Sequence, residues 1–221
     1  MKGMITVINP DKVTGQAFFK DLVNYLYTHE DVTLRQIKRA FLDVKHIDKA
    51  IETYVQAGYI TRANKRYALA FSPLETAELP QLDEMVFIET TSKIASDLQE
   101  RAWTTKLSNQ TNDLVLLEQT DFYRDSLTLS NFFYKLAHGY ALSEQQEALY
   151  ALLGDVNPEY ALKYMTTFLL KFARKELVKQ KRPDIFVQAL VLLGYIKQVD
   201  DVTYQSCVAI DKDSLEVVTY S

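Results

Sequence analysis

Cationic and hydrogen-bonding side chains recur through residues 35–66, and these are the residues best suited to chemistry. Lysine and arginine bring positive charge to phosphate oxygens, whereas threonine and glutamine can also hydrogen-bond to the edges of bases. Asp48 and Glu52 lie among them and would repel phosphates, so the same set also fits a solvated face that contacts protein. The candidate contact residues are Arg35, Lys38, Arg39, Lys45, Lys49, Thr53, Gln56, Arg62, Lys65 and Arg66.

Two short helices and a hairpin are predicted to position these side chains. Thr33 followed by Gln36 is typical of a capping box, which starts a helix by satisfying its first backbone amides. A second helix follows residues 42–44, because apolar residues recur there at helical spacing from Ile47 to Val55. Gly58 is suited to end that helix in a left-handed conformation. Residues 59–71 then predict a hairpin, with its turn at residues 63–65 and three cations near its tip.

The order of these elements resembles a winged helix over about residues 14–71. That resemblance implies that the second of the two helices enters the DNA major groove and that the hairpin contacts the flanking backbone. It rests on element order, and it implies a function only by analogy at the level of the fold. We therefore expect a DNA-associated regulator of transcription that binds double-stranded DNA. The alternative is an adaptor that uses the same surface for protein contact and binds no DNA.

The remainder of the chain predicts a mainly α fold (α+β), in which a winged helix-turn-helix precedes a helical C-terminal region. We expect a winged-helix domain at 1–72, a linker at 73–84 with two prolines, and a helical domain at 85–221. Predicted helices in this last domain include 85–106, 112–124 and 158–180. The final segment, from Tyr195, alternates like strands and predicts a small antiparallel β-meander.

A short sequence similarity occurs between the two regions. The segment VQAGYI, residues 55–60, is matched by VLLGYI, residues 191–196, and each is expected to join a helix to a hairpin. One interpretation is that the C-terminal region holds a second, degenerate winged helix. The other is that two helix–glycine–strand junctions arose independently.

Composition favours a reduced cytoplasmic protein without cofactors. The one cysteine, Cys207, allows no internal disulfide, and no run approaches the roughly 18 apolar residues of a membrane span. No signal peptide is found, which agrees with a cytoplasmic protein. No catalytic motif is found either, so we expect no enzyme activity; a dispersed active site is the alternative. The three histidines match no metal-ligand spacing.

Charge is unevenly distributed along the chain. Residues 1–72 carry 11 Lys/Arg against 7 Asp/Glu, whereas the remainder carries 14 against 22. This asymmetry suggests a basic head on an acidic body. The acidic body would dimerise or contact a partner protein, and an accidental surface asymmetry is the alternative.

Three sequence segments also resemble a small family of uncharacterised proteins from Gram-positive cocci, classed as a domain of unknown function. They are INPDKVTGQAFFKDLV near the start, LRQIKRAF, and VQAGYITRANKRYALA. The resemblance spans most of the chain and implies no activity.

Overall fold

The first strand, β1 (Ile5–Ile8), pairs antiparallel with a strand about 80 residues later, β5 (Val86–Glu89). The computed structural model describes residues 3–76 and 80–219. The chain divides into two units, residues 1–100 and 101–221. Because β1 pairs with β5, residues 86–100 belong with the N-terminal unit. The boundary between the two units therefore lies C-terminal to the predicted linker. Part of that linker, residues 77–79, lies outside the described residues.

The N-terminal unit builds a three-stranded sheet against three helices. Its strand order is β2-β4-β3, and both pairings are antiparallel. The remaining elements of this unit, in chain order, are α1 (Ala17–Thr28), β2 (Val32–Thr33), α2 (Leu34–Ala40), α3 (Ile47–Gln56), β3 (Ile60–Ala63), β4 (Arg66–Leu69) and α4 (Lys93–Glu100). The predicted capping box is present, since the Thr33 and Gln36 side chains each bond to the other's backbone amide.

Aromatic and branched side chains fill one core in this unit. Phe19 and Leu22 of α1 are buried, as are Ile51 and Tyr54 of α3. The Phe19 and Tyr54 rings meet edge to face, with centroids 5.1 Å apart. The Tyr54 hydroxyl donates to Gln16 Oε1 at 2.9 Å, so the polar end of this buried ring is satisfied. Packing against α1 therefore fixes which face of α3 is exposed.

Over its described residues, 101–219, the C-terminal unit contains two sheets and four α-helices. One sheet is antiparallel, in the order β8-β10-β9, and the other has the order β11-β12-β7-β6, with β12 parallel to β7. Its elements are β6 (Ala102–Leu107), β7 (Val115–Asp121), α5 (Leu129–His138), α6 (Glu144–Leu153), α7 (Pro158–Leu169), a 3₁₀ turn (Leu170–Ala173), β8 (Leu177–Lys179), α8 (Ile185–Leu192), β9 (Ile196–Asp200), β10 (Thr203–Ser206), β11 (Ala209–Ile210) and β12 (Glu216–Val218).

A buried carboxylate joins three elements of this unit. Glu118 on β7 is fully buried and accepts hydrogen bonds from the Leu129 and Ser130 amides, at 3.1 and 2.7 Å, at the start of α5. The Tyr195 hydroxyl also donates to it. Burial raises the pKa of Glu118, although these hydrogen bonds and the Arg124 charge oppose that rise. Glu118 thus satisfies the first backbone amides of α5 and connects the start of α5 to Tyr195, which follows α8.

The prediction of a mainly α fold ending in an antiparallel β-meander is wrong. The protein is a mixed α+β fold, 38% helical and 22% strand, with eight helices and four sheets in the part the structure describes. Residues 85–106 hold β5, α4 and most of β6, and residues 112–124 hold β7. In the described residues, the terminal strands form no single meander because β10 pairs with both β9 and β8, whereas β12 joins β7.

The two Gly-Tyr-Ile segments adopt the same local structure. In the first, the Gly58 amide donates to Val55 and the Tyr59 amide to Tyr54, both at 3.1 Å. In the second, Gly194 and Tyr195 donate to the corresponding carbonyls of α8 at 3.0 and 2.9 Å. Each hairpin is joined by an earlier strand, β2 or β8, which pairs with its second strand. The two motifs differ before the helix, since residues 180–184 connect β8 to α8 without a counterpart of α2.

Candidate nucleic-acid interface

The exposed face of α3 carries the candidate base-contacting residues. Lys45 precedes the helix, and Lys49, Thr53 and Gln56 lie on it; all four are exposed. The three helical positions are spaced i, i+4 and i+7, which places them along one stripe. Two have helical partners, since Thr53 Oγ1 donates to the Lys49 carbonyl at 3.0 Å and Gln56 Nε2 reaches the Glu52 carboxylate at 3.5 Å.

The two acidic residues on this face are each paired with a candidate cation. Lys38 Nζ of α2 lies 2.7 Å from Asp48 Oδ2, and Arg62 Nη1 of β3 lies 2.9 Å from Glu52 Oε2. These pairs link α2, α3 and β3 into one continuous surface. They also neutralise the carboxylates that would otherwise repel phosphates. Both pairs are solvent-exposed, so they contribute little stability and a phosphate can compete for either cation.

The hairpin tip holds two side chains in the left-handed region. Asn64 has φ 50° and Lys65 has φ 63°, which is the conformation of a two-residue hairpin turn with positive φ at both positions. Asparagine adopts this region readily, but lysine does so at a cost of about 1 kcal/mol because its Cβ approaches the backbone. The turn thus places an exposed lysine where glycine would be less strained.

The third hairpin cation, Arg66, is held by the loop before β2. Its guanidinium lies 3.1 Å from Asp31 Oδ1 and donates to the Asp31 carbonyl at 3.1 Å. Asp31 itself has φ 57°. Arg66 therefore supports the hairpin as well as contributing charge.

Five of the eight candidate cations have no carboxylate within ion-pair distance among the described residues. Residues 31–66 contain eight Lys/Arg and four Asp/Glu, so the surface keeps a positive balance after the pairs are made. The unpaired cations come from α2, from the approach to α3, from α3 itself and from the hairpin tip. They are Arg35, Arg39, Lys45, Lys49 and Lys65.

A shallow cleft adjoins the hairpin. It has a volume of about 390 Å³ and is lined by residues that include Leu34, Arg62 and Lys65. Tyr67 forms part of its wall and is buried on β4. The cleft brings two of the predicted cations next to each other beside the start of α2.

Sequence reasoning missed Asp31, which holds Arg66. Asn64 lies in the turn that the sequence predicts, and His46, also a possible contact residue from the sequence, begins α3 in the left-handed region with φ 55° and no side-chain cap. The Asn-Lys pair between two short strands is a usable turn signal. No local signal marks Asp31, because its partner lies 35 residues away.

The histidines do not form a metal site in the described part of the chain, where no group of three His, Cys, Asp or Glu side chains could hold an ion. His29 Nδ1 lies 2.9 Å from the Tyr25 carbonyl, and its ring stacks on Tyr25. His138 Nδ1 lies 2.8 Å from the Tyr134 carbonyl. Each of these two rings thus bonds to its own helix. Over the described residues, every helix is too short or too polar to cross a membrane.

Comparison with known proteins finds that the N-terminal unit is similar to a family without assigned function. Residues 5–101 match the family described as "Domain of unknown function (DUF1803)". The match ends where the N-terminal unit ends, so the family resemblance is shown for that unit. No curated protein matches the chain, and no solved structure matches it either. Membership of the winged-helix superfamily is therefore not shown.

Proposed function

We propose that the N-terminal unit is a winged-helix module that binds double-stranded DNA as part of a regulator. The observation that carries the proposal is the set of unpaired, exposed cations spread over α2, α3 and the hairpin tip. The ion pairs Lys38–Asp48 and Arg62–Glu52 support it, because they join these elements into one surface. A cationic surface built on a helix and an adjacent hairpin suits a groove and the phosphates on its rim.

In this proposal α3 lies in the major groove. Lys49, Thr53 and Gln56 form one stripe, and their side chains match known base contacts: lysine to guanine, glutamine to adenine, and threonine to the thymine methyl group. Lys65 at the hairpin tip and Arg35 on α2 contact phosphates on either side. These phosphate contacts fix position and supply affinity, whereas the α3 stripe supplies any preference for sequence.

The paired acids reduce the electrostatic penalty of this arrangement. Asp48 and Glu52 would each repel a phosphate if they were free. Their pairing with Lys38 and Arg62 removes most of that repulsion, and a nearby phosphate can share the same cations. We therefore expect modest rather than tight non-specific binding, in the micromolar range or weaker at physiological salt.

A variant panel tests the proposal. Fluorescence anisotropy of a labelled mixed-sequence duplex is measured at low salt with the wild type and with an Arg35→Ala/Lys49→Ala/Lys65→Ala variant. A matched control replaces three exposed lysines outside residues 31–66, namely Lys20, Lys93 and Lys197, with alanine. We expect the first variant to weaken binding at least tenfold and the control by no more than about twofold, and equal losses in the two would contradict the proposal.

A second candidate is a protein-binding adaptor. Leu42, between α2 and α3, is 81% exposed, and a protein partner that covers this surface would bury it. A Leu42→Ser variant distinguishes the two functions. The variant should leave DNA binding unchanged under the first proposal. Under the second, it should weaken the binding of a protein partner that co-purifies with the wild type.

A further inference from the structure

A cavity of about 780 Å³ opens on the C-terminal unit, between the 3₁₀ turn after α7 and the β11–β12 connection. Four of the side chains that line it are cationic. Apolar side chains from the same two segments form part of its wall, among them Leu170 and Leu215. The cationic residues are Lys171, Arg174, Lys175 and Lys212.

The positive charge here contrasts with the rest of the unit. Residues 101–221 contain 13 Lys/Arg and 15 Asp/Glu, yet residues 171–182 alone contain six Lys/Arg and one acidic residue, Glu176. Among the residues that the structure describes, no carboxylate lines the cavity. Over the residues the structure describes, none of the four lining cations forms an ion pair. Their charges are therefore available to an anion that enters the cavity.

The cationic side chains are carried on ordered segments. Lys171 Nζ lies 4.8 Å from the centroid of the Phe168 ring, which restrains its position. On the opposite side, Asp211 Oδ1 accepts hydrogen bonds of 2.8 and 2.9 Å from the two amides that follow Lys212. Leu215 has φ 56°, a left-handed conformation that is strained for a bulky residue, and its carbonyl accepts from the Val115 amide at 3.0 Å. The loop is thus fixed with Lys212 and Leu215 at the cavity.

We propose that this cavity binds a small molecule that carries two or more phosphate groups on an apolar body, the chemistry of a nucleoside di- or triphosphate. The volume lies within the range of small-molecule sites. Several cations converging on one concave space suit a compact polyanion, since Lys and Arg each bring charge-assisted hydrogen bonds to phosphate. Leu170 and Leu215 give the apolar body a surface to bury. An extended nucleic-acid backbone would instead require a stripe of cations along an open surface.

The test is isothermal titration calorimetry with the full-length protein at constant ionic strength, in EDTA. The probes are ATP, AMP, inorganic triphosphate and a single-stranded oligonucleotide, and the variants are Arg174→Ala/Lys212→Ala and, separately, Lys171→Ala/Lys175→Ala. The matched control is Lys163→Ala/Lys197→Ala, which removes two exposed cations of the same unit outside the cavity lining. We expect a submillimolar Kd for ATP and at least tenfold weaker binding of AMP. We also expect at least a tenfold loss in both cavity variants and no loss in the control.

Four results would overturn the proposal. The first is no heat of binding with ATP, and the second is an equal loss in the control variant, which would indicate diffuse charge. The third is equal affinity for ATP and inorganic triphosphate, which would show that an apolar body on the ligand contributes nothing to binding. The fourth is a single-stranded oligonucleotide that binds through the cavity residues while ATP does not. All variants lie in residues 101–221, so failure here is distinguishable from failure of DNA binding by the N-terminal unit.

Discussion

At the scale of single residues, the hydrogen bond between Tyr59 and Asp11 joins the end of α3 to the loop before α1. The Tyr59 hydroxyl donates to Asp11 Oδ2 at 2.9 Å. Burial, and then the neighbouring carboxylate, raises the pKa of Tyr59 to about 12. Burial also acts to raise the pKa of Asp11, but hydrogen bonds from Thr14 and Tyr59 outweigh it and lower that pKa overall.

We predict that Tyr59→Phe lowers the free energy of unfolding by about 1 kcal/mol at neutral pH, because the hydroxyl hydrogen bond is lost. The Asp11 contribution is present above its unfolded pKa and is lost as pH falls through the lowered folded value. The difference between wild type and variant should therefore shrink in acid. For Tyr59 the sign is opposite, since a raised pKa gives stability that is present below about pH 10 and is lost towards pH 12. Urea unfolding of wild type and Tyr59→Phe from pH 2 to pH 8 measures the effect of acid. A difference in unfolding free energy that does not change over this range would contradict this explanation.

Lys65 is the residue at which stability and proposed function oppose each other. We predict that Lys65→Gly raises stability by about 1 kcal/mol relative to Lys65→Ala, because glycine relieves the positive φ whereas alanine keeps the strained Cβ. Both variants remove the same charge and should lose DNA affinity equally. Thermal unfolding and anisotropy measured on the same two proteins separate these effects. Equal melting temperatures would show that the turn is not strained, and unequal affinities would point to a role other than charge.

At the scale of elements, the helix–glycine–hairpin junction occurs twice with the same hydrogen bonds. Gly58 has φ 82° and Gly194 has φ 75°, and a Cβ added at either position meets nothing within 4 Å. The requirement for glycine is therefore conformational rather than steric. The two junctions provide matched sites in one chain.

We predict that Gly58→Ala and Gly194→Ala each cost about 1 kcal/mol of stability, the usual penalty for a left-handed non-glycine residue. Asparagine tolerates this region better, so Gly58→Asn and Gly194→Asn should cost less than the alanine variants. Chemical unfolding of the four variants measures this order. An asparagine variant that is less stable than its alanine counterpart would refute the conformational explanation.

The N-terminal elements were predictable because their signals are local. The capping box at Thr33, the apolar spacing of α3 and the glycine after it each act within a few residues. The ten candidate residues are exposed where the sequence predicts. The ion pairs that hold three of them were not predictable, since register between separate elements decides which charges meet.

The C-terminal strands were missed for a different reason. On β7 the buried positions are Leu116, Glu118 and Thr120. Because two of these three residues are polar, the sequence lacks the alternation of apolar and polar residues that predicts a strand. Glu118 is tolerated inside because α5 begins beside it and supplies backbone amides. Such compensation depends on tertiary structure, and the sequence pattern does not contain it.

At the scale of the whole molecule, the chain has two units with separate cores, and each unit carries more Asp/Glu than Lys/Arg. Residues 5–101 match the family of unknown function, and the basic cavity lies within residues 101–221. We propose DNA contact for the first unit and a phosphorylated ligand for the second. Together these proposals describe a regulator in which ligand and DNA sites lie on different units, and each site is testable without the other.

The most direct test of the central claim is the salt dependence of duplex binding. Plotting log Kobs against log salt concentration gives a slope of about −0.9 for each phosphate contact. We predict a slope of about −4 for the wild type, as expected for four or five contacting cations, and a slope smaller by about 3 for Arg35→Ala/Lys49→Ala/Lys65→Ala. A wild type that does not bind at low salt, or a variant with an unchanged slope, would contradict DNA contact through this surface.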